Sequence, residues 1–219
     1  MNEQRKAQSF KKPLESTGKR ITDVVLAAGA LCLFWPAIAW AAVLLACTQG
    51  FPVLFRQIRP GLHGRPFTLV KLRTMTNARD SEGNFLPDEQ RLTRVGSIIR
   101  LLCLDELPQL WNVLRGEMSL VGPRPLLAEY WDLYTPEQRR RHEVKPGMTG
   151  WAAVNGGNSL SWEEKFHLDV WYVDNWSLLL DFKILVKTCL RVIKRQGVQP
   201  EGKVTVEPFR GSARYPEGA

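Results

Sequence analysis

In the stretch LLCLDELPQLWNVL, residues 101–114, two carboxylates stand side by side, Asp105 and Glu106, ahead of a proline and enclosed by apolar residues. Their ordinary work would be to cap a helix, because Asp is a favoured N-cap, Glu suits the first turn, and Pro108 falls early enough to be tolerated. An isolated Asp-Glu is best read that way. Their other use is chemical: an Asp of ordinary pKa, about 3.9, is ionised at neutral pH and can attack an electrophile without a base to deprotonate it.

The remaining reactive residue types narrow the options. Four cysteines, Cys32, Cys47, Cys103 and Cys189, are widely spaced, form no CxxC pair and make no zinc-like grouping with the three histidines. They read as small apolar residues in a reducing compartment, and Cys103 has no nearby His to make it a thiolate. Two rigid glycine-rich links, SLVGPRPLL and VKPGMTGWAAVNGGNSLSW, match neither GxGxxG nor a Walker loop. In the first, Pro123 and Pro125 fix the backbone on both sides of Arg124, which suggests a guanidinium held in place. In the second, glycines 147, 150, 156 and 157 would let backbone approach a ligand.

Thirty Lys and Arg against 22 Asp and Glu give a formal charge of +8 over 219 residues, which favours phosphate groups, acidic lipid or nucleic acid as partners. The length suits one catalytic unit with material left for a membrane segment. That segment is evident: Val24 to Phe55 contains no charged residue, and about 20 such residues cross a hydrocarbon core. It is long for the apolar part of a cleaved signal peptide. Basic residues flank both ends, Lys11, Lys12, Lys19 and Arg20 before it and Arg56, Arg59, Arg65, Lys71 and Arg73 after it. The positive-inside rule then places both ends on the same face. Trp35-Pro36 near the middle offers a break at which the helix returns to the leaflet it entered, a re-entrant hairpin. A kinked spanning helix is the alternative.

The elements that must position the carboxylates follow. FTLVKLRTM alternates as a strand with Lys71 and Arg73 on one face, and residues 77–89 read as an exposed loop. Helices are expected over 93–102, 106–114, 126–134 and 135–143. Residues 176–196 form a basic amphipathic helix suited to a headgroup region, or equally a core helix with a solvated basic face. The chain divides into a basic arm at 1–18, the re-entrant hairpin at 19–55, a cytoplasmic catalytic domain at 56–200 and an irregular tail at 201–219. The fold class is an α-rich α+β, with a helix-break-helix hairpin beside a small domain carrying amphipathic interfacial helices.

The ordered set KRITD, RQIRPG, VKLRTM, SIIRLLCLDELPQLWNVLRGEMSLVGPRP, KPGMTGWAAVNG and FHLDVWYV resembles the bacterial sugar transferases known as monotopic phosphoglycosyl transferases, from about Lys19 to about Gly211. The nearest likeness is to the small PglC-type enzymes that handle bacillosamine phosphate. Trp35 stands where that type has serine, and Gly157 where it has arginine. The resemblance implies an enzyme on the cytoplasmic face of the bacterial inner membrane. It would move a sugar phosphate from a UDP-sugar, such as UDP-N,N'-diacetylbacillosamine or another UDP-hexose or UDP-N-acetylhexosamine, to undecaprenyl phosphate, releasing UMP. It further implies Mg²⁺, held at Asp105, and a covalent aspartyl intermediate with Asp105 as nucleophile and Glu106 as its catalytic partner. Lys71, Arg100 and Arg124 become the cations that screen an anion's approach to a diphosphate, with Asp169 supporting the metal or the dyad. The lipid bilayer is an implied partner, and a homo-oligomer is left open. A non-catalytic membrane adaptor would need no such intact set of residues. A nucleic-acid module fits the charge but neither the membrane run nor any binding motif.

Overall fold

A computed structural model describes residues 12–194 and 208–212 of the chain. Its longest element is α1, Lys12–Gln49, a helix of 38 residues and thus about 57 Å. From Thr17 to Gln49 it is long and apolar enough to cross a membrane, and little of it is covered by the rest of the protein. The expected arm and hairpin meet inside this helix. Pro36 lies within it without interrupting it, because one proline removes one i→i−4 hydrogen bond and the neighbouring ones carry the helix on.

Both ends of α1 are seated on the same folded domain. Near its start Arg20 donates to the carbonyls of Val113 (2.5 Å) and Leu114 (2.6 Å), and Lys19 donates to Val121 O (3.0 Å). Asp23 accepts from the Ser119 hydroxyl and the Leu120 N–H, both at 3.0 Å. At its end Arg73 donates to the carbonyls of Gln49 (3.0 Å) and Gly50 (2.7 Å), and Gln49 donates to Thr93 Oγ1 (2.9 Å). Ala27 packs with Phe67, Leu69, Leu110, Val113 and Met118, whereas Ala41 and Leu45 pack with Leu72 and Ile99. Between these seats Leu33, Phe34, Trp35 and Trp40 are exposed.

Two antiparallel strands follow, β1 (Leu54–Pro60) and β2 (Pro66–Leu72), with Phe55 opposite Lys71 and Arg59 opposite Phe67. The strand ends at Leu72, so Lys71 and Arg73 part company: Lys71 turns to the carboxylates and Arg73 to the end of α1. Helix α2, Arg94–Leu101, starts on Thr93, whose hydroxyl accepts from Gly96 N. The expected helix over 106–114 is α3, Gln109–Arg115, and the expected helices over 126–134 and 135–143 shrink to short pieces, a 3₁₀ segment Ala128–Leu133 and a turn Pro136–Arg139.

A second, parallel pair joins β3 (Ser119–Val121) to β4 (Gly147–Thr149). Two longer helices close the domain, α4 (Trp162–Asn175) and α5 (Leu178–Ile193). Helix α4 went unassigned from the sequence, although Ser161 and Glu164 form a capping box at its start. Among the described residues the fold is therefore mostly helical with two small sheets. Most of the expected tail lies outside the described residues, but Phe209 is buried against Tyr130, Tyr134 and Phe166.

Candidate active site

Asp105 lies in a 3₁₀ turn, Leu104–Glu106, entered through Cys103 in the left-handed conformation (φ 55°). Neither this turn nor α3 has a side-chain cap, so the capping role that the sequence favoured is not the one the structure gives Asp105. The left-handed residue breaks α2 sharply and re-aims the chain, a conformation uncommon for a residue with a Cβ. Burial raises the Cys103 thiol pKa, in keeping with a packed cysteine and not a thiolate.

The two carboxylates live in different electrostatic settings. Asp105 is only 8% exposed, and among the described residues it has no ion-pair partner. Burial, then the neighbouring Glu106, push its pKa up to about 6, against the pull of Lys71, Arg100 and Arg124. The ordinary value expected from the sequence is thus corrected upward. Glu106 also suffers from burial, but Arg124 outweighs that cost and holds its carboxyl below the ordinary range. The Arg124 guanidinium grips Glu106 through two nitrogens, Nη2 to Oε1 and Nη1 to Oε2 at 3.4 Å. Arg124 stays exposed to solvent while doing so.

The other expected cations converge on the same place. Burial lowers the Lys71 pKa while Glu106 and Asp105 oppose that shift, and its ammonium lies 5.2 Å from the Phe55 ring. Arg100, near the end of α2, donates from Nε to Thr74 Oγ1 at 2.7 Å. Lys71, Arg100 and Arg124 therefore all act on the dyad, from β2, α2 and the loop after β3. With the turn that carries the dyad these are four chain segments, brought together by the tertiary fold.

Glycines make the placement of Arg124 possible. A Cβ on Gly147 would stand 2.1 Å from Gly122 N, and one on Gly150 would stand 2.2 Å from Gly122 O. The backbone of β4 thus runs against Gly122, two residues before Arg124, and Gly147 N donates to Pro123 O (2.9 Å). These two glycines admit neighbouring backbone and not a ligand, which corrects their sequence reading. A Cβ on Gly156 would meet Leu160, and one on Gly157 would have only the end of Arg191 within 4 Å.

Asp169 stands apart from the dyad. Buried on α4, it accepts from Arg141 Nε (3.0 Å) and Nη2 (2.7 Å), and the same Nη2 donates to Arg124 O at 2.8 Å. Asp169 thus reaches the site through Arg141 and the Arg124 backbone. Arg141 itself was missed, since nothing in RRRHEVKPG distinguishes it from the three arginine and lysine neighbours around it.

No group of three or more His, Cys, Asp or Glu that could cage a metal occurs among the described residues. Mg²⁺ seldom needs one, since it is commonly held by one or two carboxylates together with substrate phosphates. Asp105, buried and without an ion-pair partner beside a second carboxylate, fits that donor set.

Ile98, Leu101 and Leu102 before the dyad in the chain and Trp111 after it are exposed, and on α5 Leu179, Phe182, Val186, Leu190 and Ile193 form one uncovered stripe, Leu179 at 79% exposure. Lys183 and Lys187 lie beside that stripe over the Trp151 ring, at 5.8 and 5.0 Å.

Residues 14–195 match the family described as Bacterial sugar transferase. A Bacillus subtilis protein named as the uncharacterized sugar transferase EpsL is 58% identical over 89% of this chain and 96% of its own length. A Caulobacter vibrioides UDP-glucose:undecaprenyl-phosphate glucose-1-phosphate transferase is 43% identical over 78% of this chain and 67% of its own. An Aeromonas hydrophila UDP-N-acetylgalactosamine-undecaprenyl-phosphate N-acetylgalactosaminephosphotransferase is 38% identical over 85% and 46%. The chain spans nearly all of the first of these and less than half of the last.

Proposed function

Because this chain belongs to the bacterial sugar transferase family, we propose that it transfers a sugar 1-phosphate from a UDP-sugar to undecaprenyl phosphate, with Asp105 as nucleophile. The observation that carries this reading is the split environment of the dyad. Glu106 is tied to Arg124, whereas Asp105 is buried, without an ion pair, and ringed by Lys71, Arg100 and Arg124. Such a carboxylate is poorly solvated and available to attack, and the cations acting on it would suit the charge of a diphosphate bound beside it.

In the first step an Asp105 oxygen bonds to the sugar-side phosphorus of the donor. The bond from that phosphorus to the bridging oxygen breaks, and the bridging oxygen leaves with its electron pair as part of UMP. The product is an acyl phosphate that still carries the sugar. In the second step a phosphate oxygen of undecaprenyl phosphate attacks the same phosphorus, and the Asp105 carboxylate departs. One diphosphate linkage is lost and one is made, so no ATP is needed. A Mg²⁺ ion held at Asp105 with the donor's phosphates would neutralise charge as it shifts between oxygens. Glu106 serves by keeping Arg124 in place.

The donor sugar is a narrower matter. A bacillosamine-like sugar follows from the PglC-type resemblance, whereas the relatives' names specify glucose or N-acetylgalactosamine. We favour a UDP-hexose or UDP-N-acetylhexosamine on that ground, with UDP-N,N'-diacetylbacillosamine as the second reading.

The membrane arrangement we propose is monotopic, on the inner face of the bacterial cytoplasmic membrane. Its support is the seating of both ends of α1 on one charged domain, since a charged domain at both ends cannot occupy both sides of a bilayer. The α5 stripe and its flanking lysines suit a helix lying in the headgroup region. Cysteines introduced at both ends of α1 should label from one side only.

The deciding experiment is UMP release by purified protein with Mg²⁺ and undecaprenyl phosphate across a panel of UDP-sugars, beside Asp105→Asn. Donor-specific release that Asp105→Asn abolishes is expected, together with a phosphosugar adduct on Asp105 when the lipid acceptor is withheld. Release that survives in Asp105→Asn would sink the nucleophile assignment.

A further inference from the structure

Arg59 is a charged side chain for which the mechanism above has no use. It lies on β1 directly opposite Phe67, and Lys71 lies on β2 opposite Phe55. Residues 55, 57 and 59 share one face of β1, and cross-strand partners share a face, so Arg59 and Lys71 stand on the same side of the hairpin. Four residues of strand separate their positions, roughly 13 Å at about 3.3 Å per residue. One end of this row faces the carboxylate dyad. The other has no carboxylate in ion-pair contact among the described residues.

The Arg59 side chain is held but not neutralised. Its Nη2 donates to Gln57 Oε1 at 2.6 Å, while its Nε is buried with no hydrogen-bond partner. No ion pair reaches it among the described residues. The groups facing it are Arg124, Tyr130, Tyr134 and Glu129, and burial together with Arg124 makes its charge costlier than usual. Arg124 is near enough to act on both Arg59 and Asp105, so the two guanidiniums and the dyad belong to one neighbourhood at this face of the hairpin. Two neighbouring guanidiniums, one of them without a carboxylate partner among the described residues, have the chemistry that suits a phosphate.

We infer that Arg59 is a second guanidinium of the donor site, binding the nucleotide-side phosphate of a uridine diphosphate beside Arg124. This rests on the transferase reading for the ligand's identity. With the sugar-side phosphorus at Asp105, the other phosphate of the donor extends away from the dyad, and Arg59 lies next along the hairpin. Arg59 thus contacts the group that leaves as UMP, holding its charge as the bridging bond breaks.

The test is equilibrium binding of UMP and of uridine to the full chain in lipid nanodiscs, for wild type, Arg59→Ala and Arg59→Lys. Arg59→Ala should weaken UMP by about tenfold or more, the scale of one charge-assisted hydrogen bond. Uridine, which lacks the phosphate, should bind as before, and Arg59→Lys should fall between. Equal UMP affinity in wild type and Arg59→Ala, or an equal loss for uridine, would overturn the assignment. Should the alanine variant fail to fold, phenylglyoxal modification of wild type gives the answer: UMP must protect Arg59, and modification indifferent to UMP overturns the assignment. Binding needs no turnover, so Arg59-dependent UMP binding in a protein that releases no UMP from any donor would sustain this site while removing the transferase reading.

Discussion

Arg124 grips Glu106 through two guanidinium nitrogens while remaining open to solvent. The pairing separates two adjacent carboxylates into one held by an ion pair and one that, among the described residues, has none. Its first consequence is a pH dependence. Asp105 titrates at about 6, so kcat/KM should be full above that pH and fall as the solution is acidified through it. Arg124→Gln removes one of the cations that restrain the shift, so its acid limb should move to higher pH as its rate falls. A wild-type limb near pH 4 in a pH-rate profile would mean that Asp105 is better solvated than its burial implies.

The same burial makes the proposed nucleophile a liability to the fold. Its folded-state pKa lies above the unfolded value, so the folded form binds the proton more tightly. Destabilisation from this group therefore grows as pH rises from about 4 to about 6 and is complete above that. Asp105→Asn should abolish activity yet stabilise the protein at neutral pH by roughly 2–3 kcal/mol. Thermal unfolding at pH 7.5 and again at pH 4.5 reads this, and the gain should shrink at the lower pH.

Asp169 and Arg141 form a buried pair whose side chains are 6% and 2% exposed. Asp169→Asn leaves the Arg141 charge without compensation, at a cost on the order of 3–5 kcal/mol. Because Arg141 also holds the Arg124 carbonyl, kcat should fall in protein that is still folded at low temperature. Asp169→Glu should recover part of both. Activity unchanged in folded Asp169→Asn would make the pair purely structural.

Gly147 has no room for a side chain, with the backbone nitrogen of Gly122 in the way. Gly147→Ala must push β3 and β4 apart, costing roughly 1–3 kcal/mol and displacing the segment that carries Arg124. Gly29→Ala, in α1 with open space around it, should be close to neutral by the same unfolding and activity measurements.

The amino-acid sequence by itself determined the features that are written locally. The uncharged run became α1, the helix expected over 93–102 became α2, and alternation in FTLVKL became β2. Each depends on residues a few positions apart, where spacing and side-chain type carry the physics. The same locality misled it at Asp105, where a left-handed Cys103 replaces the expected helix start. It misled it again at Gly147 and Gly150, which approach the backbone of Gly122. Tertiary structure alone decided that Lys71, Arg100 and Arg124 meet at Asp105 and that Asp169 answers to Arg141. It alone brought Arg59 within reach of the Arg124 charge. Residues tens of positions apart meet only once the apolar clusters beneath them have packed, and burial then sets which charges are paired, which are left bare, and what pKa each one has.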